Sequence, residues 1–351
     1  MIQLPHKNGL PVNLLAASFN NTSATYKFYW FLSIIQSIES GQTRILKRDL
    51  FAQMISNAWY TVNYFHVSFG QQDKLQRAIE SIRDFESLTI DADRNNIFKT
   101  LSSTKNPNTI SQLRYFNNQV PHWFLSPWFQ GMSKSEIYSA SKNIANKSIY
   151  ALIDDEIEIN SEWRNYIYNN SKVLKDFCYW NLAIFLQSKN PNVPDIPNKL
   201  IKPAVRGSLT KQRTKFWDIV LTELGSINCI YTDKKLTKGN YAVEHFIPYN
   251  FVSHDLIWNL IPADKTFNSS KSDKLPPIDR YFKPFFNLQK TAIEIVREKA
   301  PNNQFLEDYL TIFSDLDEVG SLPINFTMEK FKERIQPLIT IAANNGFEYL
   351  K

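Results

Sequence analysis

Pro191, Pro194, Pro197 and Pro203 set the tightest limit on how this chain folds. Proline lacks a backbone N–H and fixes φ at roughly −65°, so the segment Asn190 to Pro203 supports neither a continuous helix nor a central strand. A chain of 351 residues is also too long for one small core. Together these constraints predict two or three domains with a junction in the proline-rich segment.

Before the junction, apolar residues recur at helical spacing in Tyr26 to Ile38, Leu50 to Phe65 and Lys74 to Phe85. Aromatic residues crowd this half: Tyr29, Trp30, Trp59, Tyr60, Tyr64, Phe65, Trp123, Phe124, Trp128 and Phe129. They read as core, with a base-stacking surface as the alternative. Ser148 to Asn160 alternates as two short strands around Asp154 and Asp155, and Ser161 reads as the N-cap of one long helix reaching about Gln187. Beyond the junction the pattern predicts a helix over Leu209 to Leu224, strands and turns to about Asp264, and helices near Phe282 to Lys299 and Met328 to Ala343.

The glycines are too widely spaced for a GxGxxG or GxxxxGK[ST] loop, which excludes the common nucleotide-driven motors. No apolar run approaches the roughly 18 residues of a membrane span, so no membrane partner is expected. Two cysteines, Cys178 and Cys229, cannot form a disulfide framework. With no plausible signal peptide, they place the protein in a reducing, cytoplasmic setting.

Forty basic and 34 acidic side chains leave a net charge of +6, too mild to specify a partner. The local distribution says more. Lys199, Lys202, Arg206, Lys211, Arg213 and Lys215 follow one another with no Asp or Glu among them. Lys211, Arg213 and Lys215 are candidate phosphate contacts, the alternative being a solvated charged face.

The chemistry lies just downstream, in Tyr241-Ala242-Val243-Glu244-His245-Phe246-Ile247-Pro248, then Trp258-Asn259-Leu260-Ile261-Pro262, then Phe267-Asn268-Ser269-Ser270-Lys271-Ser272-Asp273-Lys274-Leu275-Pro276. Val243 to Ile247 reads as a strand with an adjacent carboxylate and imidazole, and Asn259 opens a second strand. Lys265 to Asp273 reads as a short helix with Asn268 and Lys271 one turn apart. Phosphodiester hydrolysis needs a base to activate water, a hard cation on the phosphate, and a group that orients the base. Oxygen ligands from Glu244 and Asn268 suit Mg²⁺, and His245 has the proton affinity of a base near neutral pH.

In order and spacing these residues resemble the HNH nucleases, also called ββα-metal or His-Me finger enzymes. The Asn-x-x-Lys-Ser-Asp-x-x-Pro ending resembles the HNH domain of RNA-guided CRISPR effector nucleases, and only that module is shared. The resemblance implies His245 as general base, Asn259 as the residue holding its loop, Glu244 and Asn268 as metal ligands, and Lys271 as a phosphate contact. It departs at Glu244, where the family usually has Asp. Many HNH proteins also carry a structural zinc on two Cys-x-x-Cys pairs. Cys229 stands alone, so no zinc is expected and packing of Tyr231, Leu236, Phe246, Trp258 and Leu260 must replace it.

The resulting expectation is a mainly α chain. It has a helical N-terminal domain over 1–198 for specificity or partner binding, an HNH domain over 199–300 and a helical C-terminal extension over 301–351. The resemblance implies Mg²⁺- or Mn²⁺-dependent cleavage of DNA, with a role in restriction or anti-phage defence. The modest charge leaves room for dependence on a protein partner or self-association. A non-cleaving nucleic-acid-binding or scaffold subunit with a degenerate HNH fold is the alternative.

Overall fold

A computed structural model describes residues 3–20, 22–201, 207–313 and 326–351. The fold is mainly α, and the chain divides into two compact units. The first comprises 1–191 with 196–204, and the second 192–195 with 205–351, so the stretch after residue 300 falls within the second unit. Lys202, Pro203 and Arg206 of the basic and proline-rich stretches lie outside the described residues.

The first unit is built on helices α1 (Tyr26–Glu39) and α2 (Lys47–Asn63), followed by α3 (Lys74–Phe85), α4 (Arg94–Ser103) and α5 (Pro107–Tyr115). Helix α1 is apolar nearly all round, with Phe28, Trp30, Phe31, Ile34 and Ile35 buried, as a helix at the centre of a core must be. The aromatic residues of this half are mostly core. Among those named above, Trp123 is exposed and Trp128 half-buried, and farther along Tyr168 and Trp180 are exposed too. Some buried polar groups are paired in chains: Trp30 Nε1 donates to Tyr150 Oη at 3.0 Å, and Tyr150 Oη donates to the Pro121 carbonyl at 2.6 Å. No described helix is long and apolar enough to cross a membrane.

This unit is not wholly helical. Strands β2 (Tyr150–Ile153) and β3 (Glu156–Ile159) form the expected hairpin, turning at Asp154 and Asp155. A third strand, β1 (Arg44–Leu46), pairs antiparallel with β3 in the order β1-β3-β2. Arg44-Ile45-Leu46 is too short for an alternating pattern to reveal. The single helix expected from Ser161 is two, α6 (Ser161–Asn169) and α7 (Ser171–Lys189). Asn170 breaks it at φ −115°, ψ 16°, where two asparagines and a serine in succession favour side-chain turns over helix. The cap is Asn160, whose side chain accepts from the Glu162 N–H. Within the proline-rich segment Ile196–Ile201 still forms a short helix, with Pro197 in the first turn where a missing N–H costs nothing.

The second unit opens with a helical run that starts at Thr210–Gln212, widens to π geometry over Arg213–Trp217 and continues as α8 (Asp218–Leu224). Two-residue strands β4 (Ile227–Asn228) and β5 (Lys235–Leu236) pair around a turn. Strands β6 (Ala242–His245) and β7 (Leu260–Ala263) pair antiparallel, with Glu244 opposite Ile261 and His245 opposite Leu260. Then follow α9 (Lys265–Lys271), α10 (Ile278–Lys299) and α11 (Met328–Asn344). Tyr231, Leu236, Phe246, Trp258 and Leu260 are all buried. Tyr231 stacks on Phe267 at 4.6 Å, and Phe246 lies parallel to Phe285 at 3.9 Å, so aromatic packing ties the β4–β5 turn to α9 and the end of β6 to α10.

Candidate functional site

The β6–β7 hairpin and α9 form a ββα unit, and its architecture follows from a few side chains. Asn259 sits in a single 3₁₀ turn, Ile257–Asn259, just before β7, rather than inside the strand. Its carboxamide closes a ring with one residue. Oδ1 accepts the Ile247 N–H at 2.8 Å and Nδ2 donates to the Ile247 carbonyl at 2.8 Å. Its own carbonyl accepts the Phe246 N–H at 2.7 Å. The backbone immediately after His245 is thus fixed by three bonds to one buried asparagine, in an interior where such bonds are difficult to replace.

His245 is fully buried, and its Nε2 lies 3.0 Å from Asp255 Oδ1. A carboxylate only accepts, so Nε2 carries the hydrogen in this contact. Asp255 is partly exposed and marks the solvent edge of the site. Tyr249, in the helical turn Tyr249–Val252, packs edge-on to the imidazole at 5.5 Å. Asp255 has the neighbouring His254 as its nearest imidazole along the sequence. The residue it meets is ten positions upstream, and no local pattern announces that contact.

Glu244 is buried as well, and Lys271 Nζ lies 2.8 Å from its Oε1 and 2.9 Å from the His245 carbonyl. Both partners are essentially removed from solvent. The expected phosphate contact is therefore placed on the expected metal ligand. Asn268, one turn earlier on α9, is half-buried, and its carboxamide makes no hydrogen bond among the described residues. The structure joins Glu244, His245, Asn259, Lys271 and Asp255 in one bonded network and does not link the Asn268 side chain to it.

The donor set can be tested against a divalent cation. One carboxylate and one carboxamide are hard oxygen donors of the kind Mg²⁺ takes alongside several waters. Glu244 Oε2 makes no hydrogen bond among the described residues. The Tyr231 hydroxyl is buried without a partner, and burial, followed by the charge of Glu244, drives its pKa well above the ordinary phenol range. These groups fit a hydrated cation, although no cluster of three or more His, Cys, Asp or Glu occurs among the described residues. Cys229, in the β4–β5 turn, is buried and accepts the Asp264 N–H at 3.4 Å.

The basic residues preceding the module separate into kinds. Lys211 and Lys215 are exposed, whereas Arg213 is half-buried with its guanidinium 4.9 Å from the Tyr241 ring centre. Lys199 is buried in the first unit over Phe65. Neither a curated protein nor a solved structure matches the chain. Residues 229–277, which hold this network, match the family model described as HNH endonuclease, and the chain therefore carries an HNH-family domain.

Proposed function

We propose that the chain is a divalent-metal-dependent endonuclease that hydrolyses DNA phosphodiester bonds, with His245 as general base. The observation that carries this reading is the His245–Asp255 pair held in place by the Asn259–Ile247 ring. Asp255 fixes the tautomer, so Nδ1 takes the proton from water, and it balances the charge of the imidazolium that results. A Mg²⁺ or Mn²⁺ ion held by Glu244 and Asn268 would supply charge neutralisation at the phosphate and leaving oxygen. Lys271 holds the Glu244 carboxylate and the His245 carbonyl in one geometry. Exposed Lys211 and Lys215 would track backbone phosphates. Because the imidazole is covered, substrate access requires the Tyr249–Val252 turn to give way.

The choice of DNA rests on the motif's resemblance and is tested directly by incubating pure protein with supercoiled plasmid or structured RNA, each with Mg²⁺ or Mn²⁺ and with chelator. Metal-dependent plasmid cleavage is expected. His245→Ala should lower it by about 10² to 10⁴, the range for loss of a general base, with the fold retained. Wild-type cleavage by that variant would refute the assignment. Asp255→Asn should lower the turnover rate and shift its pH profile while leaving DNA affinity unchanged. The buried Lys271–Glu244 pair specifically favours a second reading, a non-cleaving nucleic-acid-binding subunit. Plasmid left uncut under every metal condition would decide for it.

A further inference from the structure

The turn that carries Asn259 is held by residues from outside the matched stretch 229–277. Its backbone on both sides of Asn259 bonds to side chains that lie well beyond residue 277. The Ile257 N–H donates to Asp308 Oδ2 at 2.8 Å. The Gln289 carboxamide donates through Nε2 to the Ile257 carbonyl at 3.2 Å and to the Leu260 carbonyl at 2.8 Å. Trp258 Nε1 donates to Thr311 Oγ1 at 2.8 Å, and the Thr311 hydroxyl donates to the Asp308 carbonyl at 2.8 Å.

This brace is itself fixed. Gln289, on α10, is fully buried, and its Oε1 accepts the Tyr309 hydroxyl, which is buried as well. Turning the carboxamide over would set its oxygen against two carbonyls, so only one orientation is tolerated. Asp308, Tyr309 and Thr311 belong to one 3₁₀ run, Gln304–Thr311. Asn303 caps that run, its side chain accepting the Phe305 N–H at 3.0 Å and donating to the Lys215 carbonyl at 2.7 Å.

The braced turn reaches the imidazole by two routes. Asp255, which holds His245 Nε2, lies two residues before Ile257, and Leu260 pairs with His245 across the hairpin. Asn259 between them clasps Ile247. Apolar packing alone would bury such a turn, whereas a buried polar network with its members paired also specifies one backbone position.

We propose that Gln289, Asp308 and Tyr309 are positioning residues for His245: they set the Asn259 turn and the Asp255 carboxylate, so that the working domain extends through residue 311. The proposal rests on the reading of His245 as general base, and the two are tested separately.

Hydrogen exchange followed by mass spectrometry, together with single-turnover plasmid cleavage, tests it on the full chain with Tyr309→Phe, Asp308→Ala and Asp308→Asn. Tyr309→Phe and Asp308→Ala should speed exchange of the peptide holding Phe246 and Ile247 at least about tenfold, leaving helices α1 and α2 unchanged. They should lower the single-turnover rate by about 10- to 10²-fold, the scale of a misplaced reacting group, with DNA affinity unchanged. Asp308→Asn keeps an acceptor for the Ile257 N–H and should return both readouts to near wild type. Exchange that quickens throughout the second unit would mark a general fold defect, and unaltered exchange and rate in both variants would mark an idle network; either result overturns the proposal. If the wild-type chain leaves DNA uncut, the general-base reading falls. Exchange at Phe246 and Ile247 then decides alone, local acceleration supporting the positioning role and its absence overturning it.

Discussion

Two lysines, one in each unit, are buried in opposite ways. In the HNH-family domain Lys271 faces a formal counter-charge, Glu244, and that pair is sealed from water. In the helical unit Lys47 faces a hydroxyl and a carbonyl, beside a second cation and a cavity. An ammonium removed from water needs compensation, and the two sites obtain it differently. The first is complete within the chain and acts as a structural clamp. The second takes uncharged oxygens as its direct partners, with the Asp154 and Asp155 carboxylates acting on it from nearby.

Removing one member of the sealed pair gives the largest expected effect. Lys271→Met should strand the Glu244 carboxylate and cost about 3 to 5 kcal/mol of stability, measured by denaturant unfolding. The double variant Lys271→Met/Glu244→Met should recover most of that loss, because a buried pair replaced by apolar groups is often near neutral. A Lys271→Met cost no greater than that of the corresponding change at Lys47 would break the contrast.

Lys47→Met should cost less, about 1 to 3 kcal/mol, the value of hydrogen bonds to a charged donor. Its pH dependence sharpens the difference. Lys47 has a folded pKa of about 8 because of burial, below an unfolded value near about 10.4. Between these values the unfolded chain holds more protons, so this residue's contribution makes stability rise with pH across the window and fall as pH drops through it. Native protein should show that slope between about pH 8 and 10.5 relative to Lys47→Met, and identical pH curves would show that the ammonium is not strained.

Exposed cations provide the lower bound. Replacing Lys211 and Lys215 by alanine should change stability by less than about 0.5 kcal/mol, as usual for surface sites. On duplex DNA the slope of log K against log salt should fall by up to about 2, near 0.9 for each phosphate that is no longer neutralised. An unchanged slope would make them a solvated surface only.

Legibility in the sequence tracked the range of the interactions. Helices α1, α2 and α3 show in the apolar spacing because each is set by its own residues, and the β2–β3 hairpin shows in its alternation. The break at Asn170 and strand β1 did not, since a three-residue strand is specified only by its partner β3. Within the site, the order Glu244, His245, Asn259, Asn268 is visible along the chain. Lys271 on Glu244 and Asp255 on His245 are pairings created by the fold. The π turn over Arg213–Trp217 likewise changes which basic residues share a face, and places Arg213 on Tyr241 rather than in solvent.

Strand β6 carries Glu244 and His245 on consecutive residues, and consecutive side chains of a strand leave by opposite faces. The strand is thus a partition. One side holds Glu244 and its ammonium; the other holds His245 and its carboxylate. Sliding β6 by a single residue against β7 would exchange the two sides and put the imidazole beside the ammonium, where protonating it would be opposed. Asn259, by clasping Ile247, is the pin that forbids the slip, so its contribution is to the alignment of a small machine rather than to any step it performs.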